Sequence, residues 1–157
     1  MTEQQEMSED VFMTRIGQAV MLLHGGDREE ARNRFGALWA EIGEDGDALH
    51  RCTLAHYLAD TQDDPADELV WDLRALSAAR SLTDAHAAGH RDALAVRAFY
   101  PSLHLNLAAD YVKLRRPAAA RLHLDRARAA SDVLADDGYG GGVRAAIGRL
   151  ERRLREW

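Results

Sequence analysis

Three side chains that could bind a metal or transfer a proton follow one another at four-residue intervals in the middle of the chain. Cys52, His56 and Asp60 are each about one helical turn apart, so a helix would place them on one face. Thiolate, imidazole and carboxylate groups all bind zinc, but a structural zinc site takes about four ligands and no second cluster accompanies these residues. We therefore expect no bound metal and favour a buried cysteine beside two polar residues. A sensor site for a small ligand or metal is the alternative.

The other patterns that suggest chemistry are incomplete. A Cys52–His56 nucleophile pair would have no orienting partner and no oxyanion hole. His86 and His90 have the spacing of a metalloprotease helix but lack its glutamate, and residues 138–142 are glycine-rich without the lysine of a phosphate-binding loop. We therefore expect no catalytic residues and no cofactor, and we do not expect an enzyme.

Composition limits the classes of fold and partner. A chain of 157 residues, 46% hydrophobic with only 6% aromatic, favours a single all-α domain in which alanines allow close helix packing. The net charge of -6 argues against nucleic acid as a partner, because such proteins need a basic face. The alanine- and arginine-rich composition is typical of a GC-rich bacterial genome.

The cysteine content and the N-terminus indicate a compartment. Cys52 is the only cysteine and cannot form an internal disulfide, which favours a reducing cytoplasm over secretion. The acidic N-terminus does not have the basic and apolar segments of a signal peptide. The longest apolar run, residues 19–23, is far too short to cross a membrane. We expect a cytoplasmic protein without a membrane partner.

The segment Tyr100–Asp132 has the pattern of a helical hairpin. Pro101 suits the first turn of a helix, whose N–H groups have no intrahelical partner. The helix is predicted to end at Arg115 and Arg116, because the residue before Pro117 disfavours the helical conformation. A second segment with helical periodicity follows. Such a short connection forces the two helices to pack antiparallel. Apolar residues at helical spacing mark the facing stripes: Leu103, Leu107, Tyr111 and Leu114 on the first helix, and Ala120, Leu124, Ala127 and Ala130 on the second.

This hairpin resembles a tetratricopeptide repeat (TPR), a unit of about 34 residues. The family's positions are matched by His104, Leu107, Ala108, Tyr111, Ala120, Leu124 and Ala127. Arg115 stands at the position of the family's turn glycine. Earlier in the chain, Ala19 precedes Ala31 by the interval that separates Ala108 from Ala120, and Phe35 follows as Leu124 does.

The resemblance implies antiparallel hairpins stacked as a short TPR-like right-handed superhelix within one domain, 1–157. We place hairpins at about 8–43, 47–86 and 100–135, with an insertion near 85–100. A glycine-rich break then leads to a capping helix at about 142–157. The apolar stripe of this last helix leaves a second alternative, a self-associating subunit that forms a homodimer through residues 143–157.

The resemblance also implies a function. In this family the first helix of each hairpin lines a concave groove that binds a peptide or protein segment. We therefore expect a protein–protein interaction or scaffold module with a protein or peptide partner. The matching groove positions are Met13, Ile16, Val20, His24, Cys52, His56, Asp60, Ser102, Leu105, Ala109 and Lys113.

Overall fold

A computed structural model describes residues 3–85, 91–134 and 137–157, which form seven α-helices and one short 3-10 helix, with no strand among them. The all-α prediction is confirmed. The helices are α1 (Glu3–His24), α2 (Arg28–Ile42), α3 (Ala48–Asp60), α4 (Pro65–Ala85), α5 (Arg91–Lys113), α6 (Pro117–Ala130) and α7 (Gly138–Arg155). None of the described helices combines the length and apolar composition needed to cross a membrane.

The helices pack mainly on their neighbours along the chain. In addition, the backbones of α1 and α3, of α3 and α5, and of α5 and α7 come close, whereas α2 and α4 meet through side chains, the edge-to-face rings of Trp39 and Trp71. The odd-numbered helices therefore lie together on one side of the stack. Any groove formed by α1, α3 and α5 lies on that side.

Two of the interhelical turns share one backbone motif. In the α1–α2 turn, the N–H of Asp27 bonds to Leu22 O, and Gly26 has a φ of 92°. In the α5–α6 turn, the N–H of Arg116 bonds to Tyr111 O at 2.9 Å, and Arg115 has a φ of 57°. Both are helix ends closed by a left-handed residue, a conformation that favours glycine. The backbone thus places Arg115 where the first turn has a glycine.

Three apolar clusters lie between successive hairpins. The first joins α1 and α2 to α3 around Phe35, the second joins α3 and α4 to α5 around Leu103 and Leu107, and the third joins α5 and α6 to α7. Val143 and Ile147 of α7 belong to the third cluster. Val143, Ile147 and Leu154 of the apolar stripe of α7 are thus buried on their own chain, whereas Trp157 is exposed.

The predicted starts of three helices, α1, α5 and α7, need correction. Helix α1 includes residues 3–7, ahead of the predicted start at about 8, and the end of the predicted second hairpin, at 86, falls outside the described residues together with His86 and His90. Pro101 does not open a helix: it lies inside α5, where it is fully buried. The missing N–H removes one helical hydrogen bond, and burial of Pro101 and its neighbours offsets that loss.

The glycine-rich stretch at 138–142 forms the first turns of α7 instead of a break, so α7 starts ahead of the predicted 142. Asp137 explains this start, because its carboxylate accepts a hydrogen bond from Gly140 N at 2.8 Å and caps the helix. Gly140 is also buried. The cap and the packing of α7 outweigh the low helix propensity of glycine.

Candidate functional site

Polar residues one helical turn apart occur on three successive helices and meet beside the second apolar cluster. His56 and Asp60 lie on α3, Glu68 and Asp72 on α4, and Asn106 and Asp110 on α5. Lys113 of α5 joins them through an ion pair with Glu68. We call the following set the carboxyl cluster: His56, Asp60, Glu68, Asp72, Asn106, Asp110 and Lys113.

The cluster runs from solvent into the protein. Asp60 and Lys113 are exposed at its rim. The Glu68 side chain is mostly buried and accepts a hydrogen bond from Lys113 Nζ at 2.7 Å. Asp72 and Asp110 form the floor, with exposed fractions of only 2% and 1%.

The floor is a pair of carboxyl groups in contact. The side chains of Asp72 and Asp110 hydrogen-bond to each other, and Asp110 also bonds to Glu68. A hydrogen bond between two carboxyl groups requires a proton on one of them. Apart from the proton that the pair shares, no donor among the described groups reaches the buried oxygens Asp72 Oδ1 and Asp110 Oδ2. Buried acceptors in this state oppose folding.

Burial sets the ionisation of this pair. Loss of hydration raises the pKa of Asp72 to about 7, and the hydrogen bond from Asp110 acts against that rise. Burial also raises the pKa of Asp110, to about 11, with further contributions from its hydrogen bond to Asp72 and from that residue's charge. At neutral pH Asp110 therefore holds the proton and donates it to Asp72.

The α3 side of the cluster is held by His56. Its Nδ1 lies 3.4 Å from Asn106 Nδ2, which links α3 to α5, and its ring packs edge-on against Phe99. Burial lowers the pKa of His56, while the negative charge of Asp60 opposes that shift. Burial therefore favours the neutral form of His56, which adds no positive charge to balance the carboxyl groups.

The structure brings together only some of the predicted groove residues. His56, Asp60 and Lys113 meet in the carboxyl cluster, and half-buried Ala109 lies on the same stripe of α5 as Asn106 and Lys113.

The remaining predicted residues lie elsewhere. Ile16 and Cys52 are core residues with exposed fractions of 2% and 1%, so neither side chain is available to a partner. Val20 and Leu105 pack against apolar clusters, while the Ser102 hydroxyl hydrogen-bonds Tyr139. Met13 and His24 are exposed on α1.

The side chains of Cys52, His56 and Asp60 are not placed to bind one metal ion together. Burial raises the pKa of the Cys52 thiol to about 12, which disfavours the thiolate that binds metals or attacks substrates. In the part of the chain that the structure describes, no three histidine, cysteine, aspartate or glutamate side chains are placed to hold a metal ion.

Sequence reasoning missed four residues of the cluster: Glu68, Asp72, Asn106 and Asp110. The sequence positions of two of them, Asp72 and Asp110, could have identified them. Asp72 interrupts an apolar stretch between Leu69 and Leu76, and Asp110 follows Leu107 on the stripe that packs against α4. An acidic residue on a core-facing stripe is unusual and marks a site to inspect.

A second buried polar contact joins α5 to α6. His104 Nδ1 lies 3.1 Å from His123 Nδ1, and Tyr100 and Tyr111 stack on the outer faces of the two rings. One nitrogen must donate and the other accept, so at most one of the two rings can be protonated on both nitrogens when the contact is made. Burial, followed by the positive charge of its neighbours, lowers the pKa of His104 to about 4.

No protein-family model matches this chain, and neither a curated protein nor a solved structure shows significant similarity to it.

Proposed function

We propose that the chain is a TPR-like interaction module, a short right-handed superhelix that binds a segment of a protein partner in the groove lined by α1, α3 and α5. The packing supports this proposal, because α1 contacts α3, α3 contacts α5 and α5 contacts α7 in one row of odd-numbered helices. The matching turns at Gly26 and Arg115 support a repeated hairpin unit.

The carboxyl cluster is the observation that carries the proposal. Asp72 and Asp110 would be better replaced by apolar residues if stability were the only requirement, since burial opposes the ionisation of both carboxyl groups. Groups that oppose folding concentrate at functional sites, where stability is exchanged for binding. The cluster lies between α3 and α5, beside the proposed groove.

The proposal assigns binding and no catalysis. The thiol of Cys52 is buried in the core, and His56 is engaged with Asn106. The free Cys52 fits a reducing cytoplasm, and the alanine- and arginine-rich composition fits a bacterial genome.

A pair of matched substitutions tests the groove. Ala109→Arg places a large side chain on the groove stripe of α5, whereas Ala118→Arg places one on exposed α6. The full-length protein and both variants are applied to an array of random-sequence peptides, after circular dichroism has shown equal helicity. We expect a reproducible set of bound peptides that Ala109→Arg loses and Ala118→Arg keeps. Equal binding by both variants, or no bound peptide with the wild type, would contradict the proposal.

A further inference from the structure

Helices α6 and α7 enclose a cavity of about 390 Å³, which we call the α6–α7 pocket. Its volume lies in the range of cavities that hold small molecules. Leu124 of α6 and Leu154 of α7 form an apolar floor, and each is only 3% exposed. The charged side chains around this floor are exposed or half-exposed, so the pocket opens to solvent. These charged residues are Arg121, Asp125, Arg128, Glu151 and Arg155.

The wall of the pocket contains two arginines whose charges are not paired. Arg128 and Glu151 neutralise each other in an ion pair that links α6 to α7, with Arg128 Nε 2.7 Å from a carboxylate oxygen of Glu151. Within the described ranges, neither Arg121 nor Arg155 forms an ion pair. Arg121 donates one hydrogen bond to a backbone oxygen of α7 at 3.4 Å, which leaves the other donors of its guanidinium group available.

The charge of this end of the protein also favours an anion. Helices α6 and α7 together contain eight arginines and two acidic residues, a net charge of +6 in a chain whose total is -6. In the wall itself, Asp125 offsets only one of the two unpaired guanidinium groups. A local excess of positive charge attracts anions and raises their concentration at the surface. An anion is therefore drawn to the α6–α7 pocket although the protein as a whole is acidic.

We infer that the α6–α7 pocket binds a small organic anion, whose apolar body lies over Leu124 and Leu154 and whose anionic group binds Arg121 and Arg155. Guanidinium groups bind carboxylate, sulfonate and phosphate oxygens through charge-assisted hydrogen bonds. The leucine floor adds a requirement for apolar surface, because only a ligand with an alkyl or aromatic body gains free energy by covering it. This inference goes beyond the proposed function, since no residue of α1, α3 or α5 lines the pocket.

Two fluorescent probes test the charged and the apolar contact separately. 8-Anilinonaphthalene-1-sulfonate and N-phenyl-1-naphthylamine share the same rings, but only the first is an anion. Each probe is titrated with the full-length protein and with the Arg121→Gln/Arg155→Gln variant, after circular dichroism has shown equal helicity. We expect the variant to bind the sulfonate about tenfold more weakly and the neutral probe within about twofold of the wild type. Glutamine removes the charge but keeps a hydrogen-bond donor for the backbone of α7.

Arg149→Gln/Arg153→Gln is the matched control, because it removes the same charge from two exposed arginines of α7 that do not line the pocket. It should change the affinity for the sulfonate by less than about twofold. An equal loss in both double variants would show a general attraction by net charge and would overturn the inference. Unchanged sulfonate binding by Arg121→Gln/Arg155→Gln, an equal loss of both probes, or no binding by the wild type would overturn it as well. The proposal of a peptide groove would stand in each of these cases.

Discussion

Asp72 of α4 and Asp110 of α5 hydrogen-bond to each other in the interior, two acidic side chains that share a proton between neighbouring helices. The contact is stable only while one group is protonated, and it reduces the stability of the fold at neutral pH.

Asp110→Asn should stabilise the protein at neutral pH. The native pKa of Asp110 lies far above the unfolded value, so the unfolded state loses its proton first and stability falls as pH rises above about 4. An amide is neutral at every pH and still donates to Asp72. We expect a gain of about 2 kcal/mol at pH 8 and a smaller gain at pH 5, measured by urea unfolding. The exposed Asp125→Asn is the control, and a loss of stability in Asp110→Asn at pH 8 would contradict this account.

Acidification should weaken the contact between His104 and His123. The native pKa of His104 is about 4, below the ordinary value of 6.5, so the unfolded state binds a proton first and stability falls as pH drops below 6.5. We expect His104 to contribute a loss of about 2 kcal/mol between pH 7 and pH 5. The carboxyl pair has the opposite dependence in this range, so the measured quantity is the difference between wild type and His104→Asn. The exposed His24→Gln should follow the wild type, and parallel wild-type and His104→Asn curves would disprove the assignment.

Arg115→Gly should stabilise the α5–α6 hairpin. Arg115 has a φ of 57°, a conformation that costs a non-glycine residue about 1 kcal/mol relative to glycine. A thermal melt should therefore show a higher midpoint by a few degrees. Arg116→Gly is the matched control because Arg116 has a φ of -115° and gains no relief. An unchanged or lower midpoint for Arg115→Gly would count against the turn geometry.

The Cys52 thiol should react only when the protein opens. It is 1% exposed, and burial raises its pKa to about 12. A disulfide reagent at pH 8 should modify the native protein at least about a hundredfold more slowly than the urea-unfolded chain. Metal addition should leave this rate unchanged, because Cys52 is not a ligand. Prompt modification of the native protein would show that α3 is not packed as described.

Local chemistry predicted much of the fold. Asp27 and Asp47 cap α2 and α3, and Asp64 accepts a hydrogen bond from Ala66 N at the start of α4, positions where a helix start favours aspartate. Pro117 begins α6 after the break at Arg116. These features depend on a few adjacent residues, which is why the sequence contains them.

Features that depend on distant residues could not be predicted in this way. Pro101 lies within α5 because it is buried together with Leu103 and Leu107, and tertiary packing overrides a local preference. The contact between Asp72 and Asp110 depends on how α4 and α5 pack, and a single sequence gives no register for that packing. The sequence predicted His56, Asp60 and Lys113 as site residues, whereas Asp72 and Asp110 beneath them were identified only from the structure.

The most direct test of the site is the titration of its floor by carbon-13 NMR of aspartate carboxyl groups. The account predicts that Asp110 stays protonated at pH 8 and that Asp72 titrates near pH 7, far above the ordinary value of about 4. Loss of the corresponding resonance in Asp110→Asn and Asp72→Asn assigns each signal. Titration of both carboxyl groups below pH 5 would show two hydrated, independent aspartates and would contradict the carboxyl pair on which the site depends.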